Sequence, residues 1–229
     1  MLDNFDFTPF ILSFKLASIT TLILFIISVP FSWYLSQSKS KIKPILEAIT
    51  SLPIVLPPSV IGFYILYTLS LNSPLGAFFD EYFGISLLFN FNSLVIASCF
   101  YSLPFMVQPL QSGFESINKN IIEASYIAGK SKIQTIINVV LPNMKPAIIT
   151  AIIITFAHTI GEFGVVLMVG GSIVNETKVA SLAIYEMVEV LDYTNAHIYS
   201  AIMLLFSFVV LLSVYIFNHK QKIKYGLFK

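Results

Sequence analysis

The sequence contains no arginine: all 13 basic residues are lysine, set against 12 acidic residues for a formal charge of +1. Without the guanidinium fork there is no bidentate clamp for phosphate or carboxylate, and a near-neutral chain offers no basic face to nucleic acid. Charge of either sign is scarce, 11% of 229 residues, under half the ~25% of an ordinary soluble domain. The single cysteine, Cys99, lies in an apolar run, which excludes a disulfide framework or a cysteine metal site and fits a small buried hydrophobe. His158, His197 and His219 are too scattered to form a local metal or nucleophile cluster, and no H-E-x-x-H occurs, so no catalytic or metal-binding residue is assigned. No internal repeat of 20 to 50 residues and no low-complexity linker interrupts the chain, which reads as one membrane domain over 1–229. The first apolar segment is flanked by Asp3 and Asp6, contains Lys15 and is followed by no small-residue cleavage pattern. It is therefore expected to stay in the mature chain and not to act as a cleaved signal.

What is present is apolar surface: 56% of residues are hydrophobic and the mean hydropathy is +0.84. A spanning helix needs ~20 nearly uncharged residues to cross ~30 Å of hydrocarbon. Five stretches qualify, 16–38, 48–79, 82–114, 146–175 (broken only by Glu162) and 193–219. They predict an all-α integral membrane protein with spans near 10–36, 47–70, 86–110, 147–170 and 195–217. Six spans remain the alternative, with a short or re-entrant segment hidden near 179–190. The first and last spans have few internal prolines or glycines and are expected to be ordinary lipid-facing helices. Lys39, Lys41 and Lys43 follow the first span, Lys119, Lys130, Lys132 and Lys145 the third, and Lys220, Lys222, Lys224 and Lys229 the fifth. Because short cytoplasmic loops retain lysine, this pattern predicts an outside N-terminus and a cytoplasmic C-terminus, as five crossings require.

The cytoplasmic loop 111–145 reads as two short helices. Asn120 and Glu123 form a capping-box pattern opening 121–128, and Gly129 supplies a left-handed stop. Ser131 and Gln134 repeat the pattern, and Ile133, Ile136, Ile137 and Val140 give the second helix one apolar stripe. Pro142 is expected to end that helix and Pro146 to start the next span. Such an amphipathic helix-turn-helix is either a bracket packed on its own bundle or a docking knob for a partner.

Within this loop Glu123-Ala124, Gly129 and Leu141-Pro142 resemble, at the family spacing, the Glu-Ala-Ala, Gly, Ile-x-Leu-Pro signature of ABC importer permeases. Ser125 stands for the second alanine and Val139 for the isoleucine. The resemblance implies a coupling helix that sits in a cleft of a cytoplasmic ATPase and carries its closing motion into the membrane. Ala128-Gly129-Lys130-Ser131 imitates the end of a phosphate-binding P-loop, but Ala124 occupies the first glycine position and the preceding segment is helical where a strand is needed. This chain is accordingly expected to bind no cofactor, ATP and Mg belonging to a separate ATPase.

Two further stretches narrow the likeness. Leu52-Pro53-Ile54-Val55-Leu56-Pro57-Pro58-Ser59-Val60-Ile61-Gly62 opens the second span, and Gly161-Glu162-Phe163-Gly164 lies in the fourth with Glu176-Thr177 beyond it. Together they resemble the permeases of molybdate ABC importers over essentially the whole chain. The Gly-Glu-Phe-Gly element is shared with sulfate and other oxyanion permeases. In the residues themselves, Pro53, Pro57 and Pro58 point to a broken helix beside a pathway, since broken backbone survives at membrane depth only where it is buried in protein or lines a cavity. Glu162 is the one carboxylate in mid-span, and intramembrane ionisable groups usually face the bundle interior. A negative charge suits a dianion poorly, so Glu162 is expected to be a structural or gating group, held by hydrogen bonds or protonation, with His158 one turn earlier as its partner. Gly161 and Gly164 would allow close helix approach. With no lysine in the central spans, the anion would meet hydroxyls and backbone amides, for which Ser59, Thr155 and Thr159 are candidates.

The resemblance implies a type I importer permease in a bacterial or archaeal plasma membrane, surrounded by lipid. Two copies would form the pathway, with two ABC ATPase subunits below and one extracytoplasmic molybdate-binding protein above. Sulfate or thiosulfate is the alternative substrate, and tungstate matches molybdate in size and charge. An ATP-independent secondary transporter would usually show an inverted repeat or several intramembrane charges, and the sequence has neither.

Overall fold

The computed structural model describes residues 5–224, of which 214 and 217–224 by backbone only; Asp3 and Lys229, used in the charge reading, lie outside the described residues. Twelve α-helices and one π-helical turn account for the regular structure there, with no strand. They are α1 (Thr8–Gln37), α2 (Lys43–Val55), α3 (Pro58–Leu69), α4 (Pro74–Phe83), α5 (Phe91–Glu115), α6 (Lys119–Ile127) and α7 (Lys132–Thr135). The π turn (Ile136–Val140) follows, then α8 (Leu141–Asn143), α9 (Lys145–Ile160), α10 (Gly164–Gly170), α11 (Ala180–Glu189) and α12 (Tyr193–Lys224).

Three helices are long and apolar enough to cross a membrane singly: Thr8–Gln37, Phe91–Glu115 and Tyr193–Ser213. Two bent pairs, α2 with α3 at 112° and Lys132–Asn143 with α9 at 79°, raise the number to as many as five if each pair is one span. The first bend is the break expected within the span near 47–70 and has a local cause. Pro57 and Pro58 remove two successive amide donors and bias the residue before each toward extended backbone; Leu56 has ψ 138° and Pro57 ψ 139°. Pro53, also expected to break the helix, is accommodated inside α2. Pro142 does not end the second loop helix either: it lies in α8, and the chain bends at Met144 (φ −105°, ψ 19°), next to the Lys145-Pro146 start of α9.

Between the second and third spans the chain forms α4, which the sequence reading did not anticipate. Ser73 caps it by accepting from the Gly76 amide, and Gly84 ends it at φ 63°. The third span then starts at Phe91, not near 86, because Asn90 and Ser93 build a reciprocal capping box there. The fourth span, expected as one helix over 147–170, is interrupted between Ile160 and Gly164. The segment suspected of being a sixth span is α11, ten residues long, or ~15 Å, about half the hydrocarbon thickness.

The core lies between α1, α5 and α9. Leu24, Met106, Leu110, Phe114, Val140, Met144 and Ala151 form one cluster, and Gly113 lets α5 approach so closely that a Cβ there would lie 2.6 Å from the Ala147 Cβ. Ser32 Oγ of α1 donates to the Val107 carbonyl of α5 at 3.2 Å. The first span is therefore no plain lipid-facing helix: 44% of its apolar window is buried, against 11% for α12, which does stand at the periphery.

Candidate functional site

The helix-turn-helix after α5 is built in two layers. Asn118, not Asn120, caps α6 by accepting from the Asn120 amide at 2.9 Å. Gly129 turns the chain at φ 79°, a conformation that costs glycine nothing. Ser131 and Gln134 then form the expected capping box, bonded at 3.3 and 2.9 Å. Only part of the expected apolar stripe turns inward: Val140 is buried and Ile136 half-buried. Ile133 and Ile137 are 69% and 56% exposed, whereas Thr135 and Val140 are fully buried. The π turn at Ile136–Val140 shifts the phase, because its hydrogen bonds skip one residue more than those of an α-helix, and Thr135 joins Val140 among the buried residues.

That inner face ties the element to the bundle. Val140 and Met144 enter the main core cluster, and Ser125 Oγ and Thr135 Oγ1 lie 2.9 Å apart, joining α6 to α7. Ser125, a departure from the family pattern, is thus a buried bond between the helices. The outer face presents Ile121, Tyr126, Ile127, Ile133 and Ile137, with Ile127 88% exposed; Glu123, Ala124 and Pro142 are exposed, Val139 and Leu141 half-buried. The inner face acts as a bracket on the bundle, and the exposed outer face is the surface a partner could reach. On the same end of α5, Lys43 Nζ bridges Glu115 at 3.2 Å and Glu47 at 3.6 Å, and Gln111 Nε2 donates to Glu47 Oε1 at 2.6 Å. This clasp of α2 to α5 escaped the sequence reading.

The second candidate region surrounds the break at 161–163. Glu162 is 3% exposed with its side chain wholly buried. Ser98 Oγ donates to Oε2 at 2.5 Å and Ser102 Oγ to Oε1 at 2.6 Å, while Ser181 Oγ of α11 donates to the Glu162 carbonyl at 2.5 Å. His158 Nδ1 lies 3.6 Å from Oε1 and 2.9 Å from Ser102 Oγ. The break between α9 and α10 is thereby anchored to α5 and α11. Charge-assisted bonds of this kind stabilise a buried carboxylate that would otherwise be costly.

Pro58, Gly62 and Gly164 form the contact of α3 with α10. A Cβ on Gly164 would lie 2.9 Å from the Pro58 Cβ, and one on Gly62 would lie 2.8 Å from the Met168 Cβ. Beside this contact is a cavity of about 430 Å³ lined by Pro58, Tyr101, His158, Gly161, Phe163 and Gly164, with Glu162 contributing to its wall.

The structure therefore brings Pro58, Gly161, Glu162, Phe163 and Gly164 together and seats Gly62 nearby. Pro57 caps the start of α3, and Ser59 is exposed there. Thr155 and Thr159, expected along the path, are buried and do not line the cavity; Thr159 Oγ1 donates to the Thr155 carbonyl at 3.0 Å and lies 2.9 Å from Ser102 Oγ, which joins it to the Glu162 network. Of the Glu176-Thr177 pair, Glu176 is exposed and Thr177 closes the loop after α10 by donating to the Gly170 carbonyl at 2.8 Å. Ser98, Ser102, Ser181 and Tyr101 were missed, although the i, i+4 spacing of Ser98 and Ser102 in a charge-free span already placed two hydroxyls on one helix face. No group of three or more metal-ligating side chains occurs among the described residues. On the α11 surface, burial pushes the Glu186 carboxyl up, but the ion pair with Lys178 outweighs it and holds the group below its ordinary range.

Residues 28–223 match the family described as the binding-protein-dependent transport system inner membrane component. The molybdenum transport system permease protein ModB of Azotobacter vinelandii is 41% identical over 227 residues, 99% of either chain. The sulfate transport system permease protein CysT of Salmonella typhimurium is 30% identical over 183 residues, 80% of this chain and 66% of the relative. Among solved structures, a bacterial alginate ABC transporter in complex with an alginate pentasaccharide-bound periplasmic protein superposes with a TM-score of 0.72. Its identity is 18%, over 89% of this chain and 74% of that one, so that likeness speaks for the fold, that of the type I importer permeases.

Proposed function

The chain belongs to the family of inner membrane components of binding-protein-dependent transport systems, and from that premise we propose that it is the permease subunit of an ATP-driven molybdate importer. Two copies form the pathway. Two ATPase subunits dock on the cytoplasmic helix-turn-helix, an extracytoplasmic molybdate-binding protein delivers the anion, and alternating access moves it inward. The N-terminus lies outside and the C-terminus in the cytoplasm, in keeping with the lysine distribution. ATP and Mg are held by the ATPase, and this subunit catalyses no reaction itself.

One observation carries the coupling role. The loop between the third and fourth spans is rooted in the core through Val140 and Met144 while it presents the exposed Ile127, Ile133 and Ile137 on its other side. An exposed apolar ridge on a rigidly rooted element suits a partner whose movement must be passed on. For the substrate, full-length identity to a molybdenum permease supports molybdate over sulfate, and tungstate shares its size and charge.

The test is ATP hydrolysis by the complete complex in liposomes, with molybdate, tungstate and sulfate supplied separately through the binding protein. Stimulation by molybdate or tungstate and not by sulfate is the expected result. Stimulation by sulfate alone overturns the substrate, and failure to assemble with any ATPase overturns the importer reading.

A further inference from the structure

The oxyanion reading leaves a charge problem, since the cavity at the 161–163 break has a buried carboxylate in its wall and no lysine among its lining residues. His158 is the one lining side chain that can become cationic. We propose that His158 is the anion-contacting residue of the translocation path, its Nε2 edge opening into the cavity and its charge offset by Glu162. The inference rests on the oxyanion reading.

Proton counting orients the ring. A serine hydroxyl has one hydrogen, and Ser102 spends it on Glu162 Oε1 at 2.6 Å. Toward His158 Nδ1, 2.9 Å away, Ser102 Oγ is then the acceptor, so Nδ1 carries a hydrogen. Nε2 has no partner among the described residues, the side chain is 21% exposed, and His158 lines the cavity. The ring is also fixed in plane: it stacks on Phe105 with centroids 3.9 Å apart and an interplanar angle of 25°, and it lies 4.9 Å from the Tyr101 ring. A second proton, on Nε2, makes the imidazole a donor aimed at open volume, held by a network that already contains its counter-charge.

The side chain of Glu162 is wholly buried behind Ser98 and Ser102, so it neutralises the imidazolium without presenting its own oxygens to the anion. A neutral pair also suits transport, because an anion held by one charge-assisted bond leaves readily. Of the elements packed on α9, α5 brings Tyr101 and Cys99 to this region. The α1 helix carries Lys15, whose ammonium sits over the Phe91 ring. The α12 helix carries His197 and Tyr199, the latter committed to the Asp6 carbonyl.

The experiment measures molybdate uptake and ATP hydrolysis in parallel, on proteoliposomes of the complete complex. His158→Phe, which keeps the stack on Phe105, and His158→Gln should lower uptake per ATP about tenfold, the worth of one charge-assisted bond. His158→Arg, which keeps a cation at the position, should retain more of the wild-type yield than either. Co-purification of the ATPase checks that each variant assembles. Phe and Gln variants that match wild type in yield, or an Arg variant no better than these two, would overturn the assignment. A wild-type complex that takes up no oxyanion would overturn the reading beneath it, a result distinct from either.

Discussion

Gly164 faces Pro58 so closely that a methyl group on the glycine would lie 2.9 Å from the proline Cβ. This contact locks the helix after one chain break, at Leu56–Pro57, onto the helix after the other, at 161–163. The two irregular stretches are thus one structural unit beside a cavity, where the freed backbone groups can find partners.

Gly164→Ala should therefore destabilise the protein by about 1–3 kcal/mol, the usual cost of overpacking, read as a lower midpoint in thermal unfolding of the detergent-solubilised complex. Gly161→Ala is the control. Its Cβ would meet only carbonyl oxygens, at 3.6 and 3.7 Å, and the midpoint should hold.

Glu162→Leu should be worse than Glu162→Gln. Leucine leaves the Ser98 and Ser102 hydroxyls buried without their acceptor, at about 1–3 kcal/mol for each, while glutamine retains one carbonyl acceptor. The comparison is again of unfolding midpoints, and equal midpoints would reduce Glu162 to a space-filling residue.

Ser125→Ala restores the alanine of the family pattern but strips Thr135 of its 2.9 Å partner. A loss of about 1 kcal/mol is expected, with ATPase assembly intact. Undiminished stability would mean that the bond between α6 and α7 contributes nothing.

Much of this was legible in the chain. Pro57 and Pro58 announced the second-span break because proline's missing donor acts locally, and the Ser131 and Gln134 box and the Gly129 turn are equally local. His158 and Glu162 are one helical turn apart, so their pairing could be read from spacing. Ser98, Ser102 and Ser181 could not be joined to Glu162 in the same way, since 60 or more residues separate the first two from it in sequence and only tertiary packing unites them. The register of the second loop helix held only in part, for a different reason. A π turn interrupts the 3.6-residue repeat on which the stripe of Ile133, Ile136, Ile137 and Val140 was based: Val140 is buried as expected, but Ile133 and Ile137 are exposed and Thr135 is buried instead. The cap at Asn118 displaced Asn120 by two residues, the scale on which helix ends commonly shift.

Glu123→Arg and Ile127→Asp alter exposed positions of the loop, so both proteins should insert and fold. They should lose co-purifying ATPase and transport together. Normal assembly and transport in both would remove the coupling role from this face.

The most direct measurement is cross-linking from the ridge itself. The chain has one cysteine, Cys99, so Ile127→Cys in a Cys99→Ser background places a single thiol on the 88% exposed outer face. Paired with cysteines along the ATPase cleft, it should form an intersubunit disulfide whose yield changes between nucleotide-free and ATP-bound complexes. A thiol that reacts with no ATPase position in either state, in a complex that still transports, would contradict the claim that this helix-turn-helix couples ATP hydrolysis to the membrane.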